Sequence, residues 1–276
     1  MRTLNKLMTI STILAAAFAS ACTENGKAMA HATFHIDTAL VTDAGTETGS
    51  TYTAQNGDQI RIDSLEVEVE SIALVAAGNG SSGDVEFDPA NPPAPFTNCH
   101  GDHCHSTESD ATYTFDEIRQ ILADKASGKT SVFEADVEKS VTLTDLNQTQ
   151  SLTNIADGDL DETTIAEYRV KLGEIHFKGH NLTKDTAIDF KNEHDHEDED
   201  EDDHDHDHDH DHAHIDMVSL STALSRTIDA KADYEQEFHG VISINAAFIE
   251  DVIAADGEID FADVIADHAT LKMAHE

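Results

Sequence analysis

Residues 58–76 read DQIRIDSLEVEVESIALVA. Leu65, Val67 and Val69 alternate with Glu66, Glu68 and Glu70, the period of two that sends successive side chains to opposite faces of a strand. One face is apolar and the other carries carboxylates, so the segment predicts a half-buried strand. Asn56-Gly57, just before it, signals a tight turn, because both residues tolerate the positive φ that hairpin turns need. Upstream, Ala32 to Thr42 alternates in the same way: Phe34, Ile36 and Leu40 point to one side, and His31, His35 and Asp37 to the other. Downstream, 77–84 is a Gly/Ser loop and 88–96 holds all four prolines.

Thr114-Phe115-Asp116-Glu117 is a capping box, with Tyr113 and Ile118 spaced as a hydrophobic staple. It predicts a short helix with Ile118, Ile121 and Leu122 inward, ended by Gly128. Phe133, Ala135, Val137, Val141 and Leu143 mark another strand, and Tyr168, Val170 and Leu172 a further one. Gly173 then shifts the phase so that Ile175 and Phe177 continue it, which predicts a β-bulge. Ile242 and Ile244 flank Ser243 in a last strand. Two helices follow, one with Phe248/Val252 and Ile249/Ile253 at i,i+4, the other starting at Asp260. The fold class expected is mainly β: an antiparallel β-sandwich with a few short helices, forming a single β-rich domain over 31–276.

The chain of 276 residues has 16 Lys+Arg against 56 Asp+Glu, a net charge of −40. Phosphate binding needs clustered Lys and Arg, so nucleic acid is excluded as a partner, and an anionic membrane surface would repel the chain. What it attracts is cations. With 18 His, transition metals are among them.

Arg2 and Lys6 precede a 15-residue apolar run, Leu7–Ala21, too short to span a bilayer. It ends in Ala19-Ser20-Ala21-Cys22, which resembles the lipobox of bacterial lipoproteins, with Ala19 in place of the usual Leu. The resemblance implies a signal peptide over 1–21, lipidation of Cys22, a tether over 22–30 and export. Thr23 after the Cys implies the outer membrane, facing the periplasm or the cell surface. Ala19-Ser20-Ala21 also satisfies the small-x-small rule of an ordinary secretory signal. Either way the mature chain reaches an oxidising compartment, where Cys99 and Cys104 remain as an even pair.

Residues 193–214 read EHDHEDEDEDDHDHDHDHDHAH: eight His (His194, His196, His204, His206, His208, His210, His212, His214) and 13 acids. Ala213 is the only nonpolar residue, so the segment cannot bury a core and predicts a disordered insertion between structured flanks. Asp-His alternation in extended chain spaces His about 7 Å apart on one side. Neighbours can share one ion only if the chain bends, so several modest sites are expected rather than one tight tetrahedron. In composition the tract resembles the His/Asp-rich loops of bacterial periplasmic zinc-binding proteins. That likeness covers the tract alone.

Cys99-His100-Gly101-Asp102-His103-Cys104-His105, inside a loop at 97–106, packs two Cys and three His into seven residues. Three readings stand. Cys99 and Cys104 form a disulfide that presents three imidazoles. Or Cys99, His100, His103, Cys104 and His105 supply a thiolate/imidazole site for zinc or copper. Or Cys99-x4-Cys104-His105, which resembles an expanded C-x-x-C-H attachment sequence, carries c-type haem with His105 as axial ligand.

Weaker signals complete the inventory. Asp157-Gly158-Asp159-Leu160-Asp161 starts like a calcium loop, but Glu162 stands where Gly is required, so a turn is expected. His31 and His35 share a strand face, whereas His176, His180, His239 and His268 are isolated. Nothing resembles a nucleophile elbow or a phosphate loop, and no enzyme is expected. The expectation is an exported metal-binding protein that captures or buffers zinc, or else copper. An extracytoplasmic haem electron carrier and a surface lipoprotein with incidental metal affinity are its rivals.

Overall fold

The computed structural model describes residues 29–42, 49–78, 87–101, 103–107, 112–194, 214–215, 217–229, 234–255 and 259–274. In chain order the strands begin with β1 (Ala30–Val41), β2 (Thr51–Thr53), β3 (Gln59–Ala76), β4 (Phe96–His100), β5 (His103–Ser106) and β6 (Thr112–Thr114). Helix α1 (Phe115–Ser127) precedes β7 (Thr130–Leu143), β8 (Thr149–Leu160), β9 (Thr163–Asn181), β10 (Thr186–Lys191), β11 (Glu193–His194), β12 (His214–Ile215), β13 (Val218–Ile228) and β14 (Glu235–Asn245). Two short helices, α2 (Phe248–Ala254) and α3 (Phe261–His268), lead into β15 (Ala269–Met273). The chain is therefore mainly β, as its alternation predicts. The expected signal peptide, Cys22, the expected tether up to residue 28 and most of the Gly/Ser loop lie outside the described residues. Ala30, assigned to the tether, already belongs to β1 and is buried.

β3 and β9 form the spine of one sheet, antiparallel from Ile60↔Asn181 to Ala76↔Ile165. β2 and then β7 flank β3, and β10 and then β13 flank β9. The alternation of 65–70 appears as designed: Leu65, Val67 and Val69 are fully buried while the intervening Glu residues face out. The register slips between Val67/Ile175 and Val69/Leu172, placing the predicted bulge at Gly173.

The second sheet runs β15-β14-β1-β8. Its β1–β14 pair is parallel, from His31↔Glu235 to Val41↔Asn245, whereas every other described strand pair is antiparallel. Parallel neighbours need a long crossover. Here the whole other sheet lies between them in the chain. Between the two sheets Phe34 stacks on Phe133 at 4.5 Å and on Phe238 at 5.1 Å, with Tyr168 at 6.5 Å. Gly240 is required beside them, since a Cβ there would lie 2.7 Å from the Tyr168 ring. At the other end Phe248 of α2 meets Phe177 edge-on at 5.0 Å.

The turn expected at 157–161 is instead the end of β8, with Gly158 opposite Ala32 and Asp159 opposite His31. Gly158 leaves room for the Phe133 ring, which a Cβ would approach to 2.6 Å. Packing and the ladder offered by β1 outweigh the poor strand propensity of Asp and Gly.

Helix α1 starts where the capping box places it. Thr114 Oγ1 accepts from Glu117 N at 3.2 Å, and Glu117 Oε2 accepts from Thr114 N at 2.9 Å. Gly128 closes the helix at φ +70°. Ile118 is buried, but Ile121 is exposed rather than inward and borders an open cavity of about 410 Å³ between helix and sheet. The helix stands off the sheet on ion pairs. Glu117 meets Lys171, Arg169 Nη2 donates to Asp124 Oδ1 at 2.9 Å, and Glu167 accepts from Lys129 at 2.8 Å and from Arg169 at 3.0 Å. Burial would push the Glu167 carboxyl up, but the hydrogen bonds from Arg169 and Lys129 outweigh it and hold it at about 2, against an ordinary 4.5.

A carboxyl lowered on folding stabilises the folded state above its ordinary value and loses that contribution as pH falls through the folded value. Urea midpoints of the wild type should therefore drop between about pH 4.5 and pH 2. Glu167→Gln should show a smaller drop over the same window. Equal drops in the two proteins would contradict this assignment.

Candidate metal centre

β4 and β5 form a short hairpin with Gly101 at φ +57° in its turn and His100 paired with His103. Side chains alternate along a strand, and directly opposed residues share a face. His103 and His105 of β5 therefore lie on one face, joined by His100 from β4. Cys104, between the two His, points the other way, as does Cys99 next to His100. The hairpin thus sorts its ligands: imidazoles on one face, sulfurs on the other.

The sulfurs meet, and Cys99 and Cys104 are joined by a disulfide. Cys104 is fully buried in a small cluster with Phe87, Phe96 and Ile118, which Cys99, Tyr113, Phe115 and Leu122 extend. Phe96 packs edge-on against Tyr113 at 5.5 Å, and Phe87 lies 5.4 Å from Phe115. β6 pairs with β5, Tyr113 opposite Cys104, and runs straight into the capping box of α1. The ion pairs under α1 thereby tie the hairpin to the large sheet.

On the opposite face one ring nitrogen from each of His100, His103 and His105 lies within 4.8 Å of the others. His100 Nε2 and His105 Nε2 are 3.1 Å apart. Two ligands each about 2.1 Å from an ion at the tetrahedral angle are separated by about 3.4 Å, so this spacing suits a shared ion. The ring centroids are 4.4 to 5.4 Å apart. His103 is buried, His105 half-buried and His100 exposed.

The thiolate and haem readings both need free sulfurs. With Cys99 and Cys104 bonded to each other, neither sulfur can act as a thiolate ligand or carry a haem thioether. The group that could hold a metal consists of three imidazoles. Of the His/Asp tract, His194 and His214 pair in the β11–β12 ladder, which closes the base of the insertion. His196, His204, His206, His208, His210 and His212 lie outside the described residues. Asn192, just before β11, donates to Gly173 O at 2.8 Å and accepts from Ile175 N at 2.7 Å, so the insertion leaves the sheet at the β9 bulge.

The four His that look isolated in the sequence, and the strand-face pair His31 and His35, each sit within 3.5 Å of a carboxylate. The pairs are His31–Asp159, His35–Glu237, His176–Asp189, His180–Asp185, His239–Asp37 and His268–Asp251. Apart from His180 and Asp185, five residues apart, the partners stand 13 or more residues apart in sequence and leave no local signal. His35 and His239 are neighbours across the parallel β1–β14 pair, with rings 6.1 Å apart.

No protein-family model, curated protein or solved structure matches the chain. The class that fold and site define is a β-rich protein with a three-imidazole group that could hold a metal ion.

Proposed function

We propose that this is an exported, lipid-anchored protein that captures or buffers transition-metal ions, zinc or else copper. His100, His103 and His105 form its defined site, and the His/Asp tract its larger store. The observation that carries the reading is the convergence of three ring nitrogens within 4.8 Å on a disulfide-closed hairpin. Imidazole donors favour zinc and copper over magnesium and calcium, which prefer oxygen. Three His supply three of the four ligands that zinc's tetrahedral habit calls for. The net charge of −40 raises the cation concentration at the surface. The lipobox-like Ala19-Ser20-Ala21-Cys22 supports the anchor, and an exported chain suits the disulfide.

Native mass spectrometry of the protein taken from its own membrane fraction tests the whole reading. The expected spectrum shows a lipidated Cys22, an intact disulfide and several bound zinc or copper ions. A variant lacking 193–214 should retain one tightly held ion and lose the rest. Unchanged stoichiometry in that variant would remove the tract from the function, and a metal-free wild type would end the reading.

A further inference from the structure

The disulfide sits directly behind the imidazoles, and its state bears on theirs. Cys99 and Cys104 close a ring of six residues that contains His100 and His103, with His105 next to it. β6 and the apolar cluster hold β5, but β4, which carries His100, lies at the edge of this sheet and, among the described strands, pairs with β5 alone. β4 and β5 are 5 and 4 residues long, their register breaks between Thr97 and His100, and Asn98 and Gly101 both have positive φ. The ladder that joins the His100 end of β4 to β5 is thus short and broken, and the disulfide is the covalent link across it. The placement of His100 opposite His103 therefore depends on the disulfide.

The sulfurs cannot replace what they support. Cys104 is fully buried among Phe87, Phe96 and Ile118 on the face away from the imidazoles. A sulfur released there faces this apolar cluster, on the side of the strand away from the imidazoles. It cannot join the imidazoles on one ion while the hairpin keeps its register.

We infer that the Cys99–Cys104 disulfide is a redox control on the imidazole site: the oxidised hairpin holds the ion, and reduction releases it. This rests on the metal-binding reading above and adds its regulation. The reductant is an external dithiol. It gives two electrons and two protons to the S–S bond, leaves Cys99 and Cys104 as thiols, and becomes a cyclic disulfide itself. By linkage the effect is reciprocal, so a bound ion makes the disulfide harder to reduce by the factor by which oxidation tightens the ion.

The test measures the thiol–disulfide equilibrium of the full mature chain in a dithiol redox buffer. Cys22→Ser leaves one cysteine pair, and a chelator fixes free zinc so that occupancy of the tract does not disturb the reading. Zinc should raise the ratio of oxidised to reduced protein about tenfold or more, which corresponds to a potential about 30 mV more negative. His103→Ala should abolish the shift. A shift in the opposite direction would mean that released thiolates capture the ion, and would overturn the inference. So would no shift in a protein whose oxidised form binds zinc by titration. Failure of the oxidised protein to bind zinc at all would instead overturn the metal-binding reading.

Discussion

His103→Ala should weaken zinc binding at the hairpin by roughly 100-fold or more. Loss of an outer partner of a ligand already costs about 10–100-fold in affinity, and His103 would be a ligand itself. It is the buried member of the three, placed opposite His100 and two residues from His105, so no other described imidazole can take its position. The measurement is a competition titration against a chromophoric chelator in protein lacking 193–214, so that the tract does not mask the site. Far-ultraviolet circular dichroism checks that the variant is folded. An affinity within about threefold of the parent would show that the hairpin is not the site.

Phe34→Ala should cost about 3–5 kcal/mol of unfolding free energy, the range for removing a buried aromatic ring. Phe34 is fully buried and its ring meets those of Phe133, Phe238 and Tyr168, which come from both sheets. The cavity left behind would open between the layers, where the neighbouring rings cannot collapse without moving strands. His31→Ala, on the exposed face of the same strand, serves as the control and should stay within about 0.5 kcal/mol. Urea denaturation of the two variants and the wild type decides the matter. A loss under about 1 kcal/mol for Phe34→Ala would mean that the sheets do not pack on this ring.

These variants mark how far the sequence was legible. Phe34 could be placed inward from alternation alone, because a strand with one wet face leaves that period in its residues. The same holds for 65–70 in β3. The capping box at Thr114 and the stop at Gly128 are equally local, since a helix end must satisfy its own backbone groups. β8 was not legible. Its Asp157-Gly158-Asp159 looks like a turn until β1 supplies the ladder and Phe133 needs the space over Gly158. Ile121 is exposed against its helical period, which shows which residues share a face but not how far ion pairs hold that face from the sheet.

The candidate site divides in the same way. Cys99, His100, His103, Cys104 and His105 stand together in the sequence, and their types point to metal or disulfide chemistry without choosing. The choice came from pairing. Once β4 and β5 run antiparallel with His100 opposite His103, the pleat sends three imidazoles to one side and two sulfurs to the other. Composition, the lipobox-like stretch, strand alternation and the clustering of Cys and His are properties of the chain, since each depends on residues near one another in sequence. Which ligands share a centre, which His pairs with which carboxylate, and that β1 lies parallel to β14 are properties of the fold. Each depends on contacts between segments that only packing brings together.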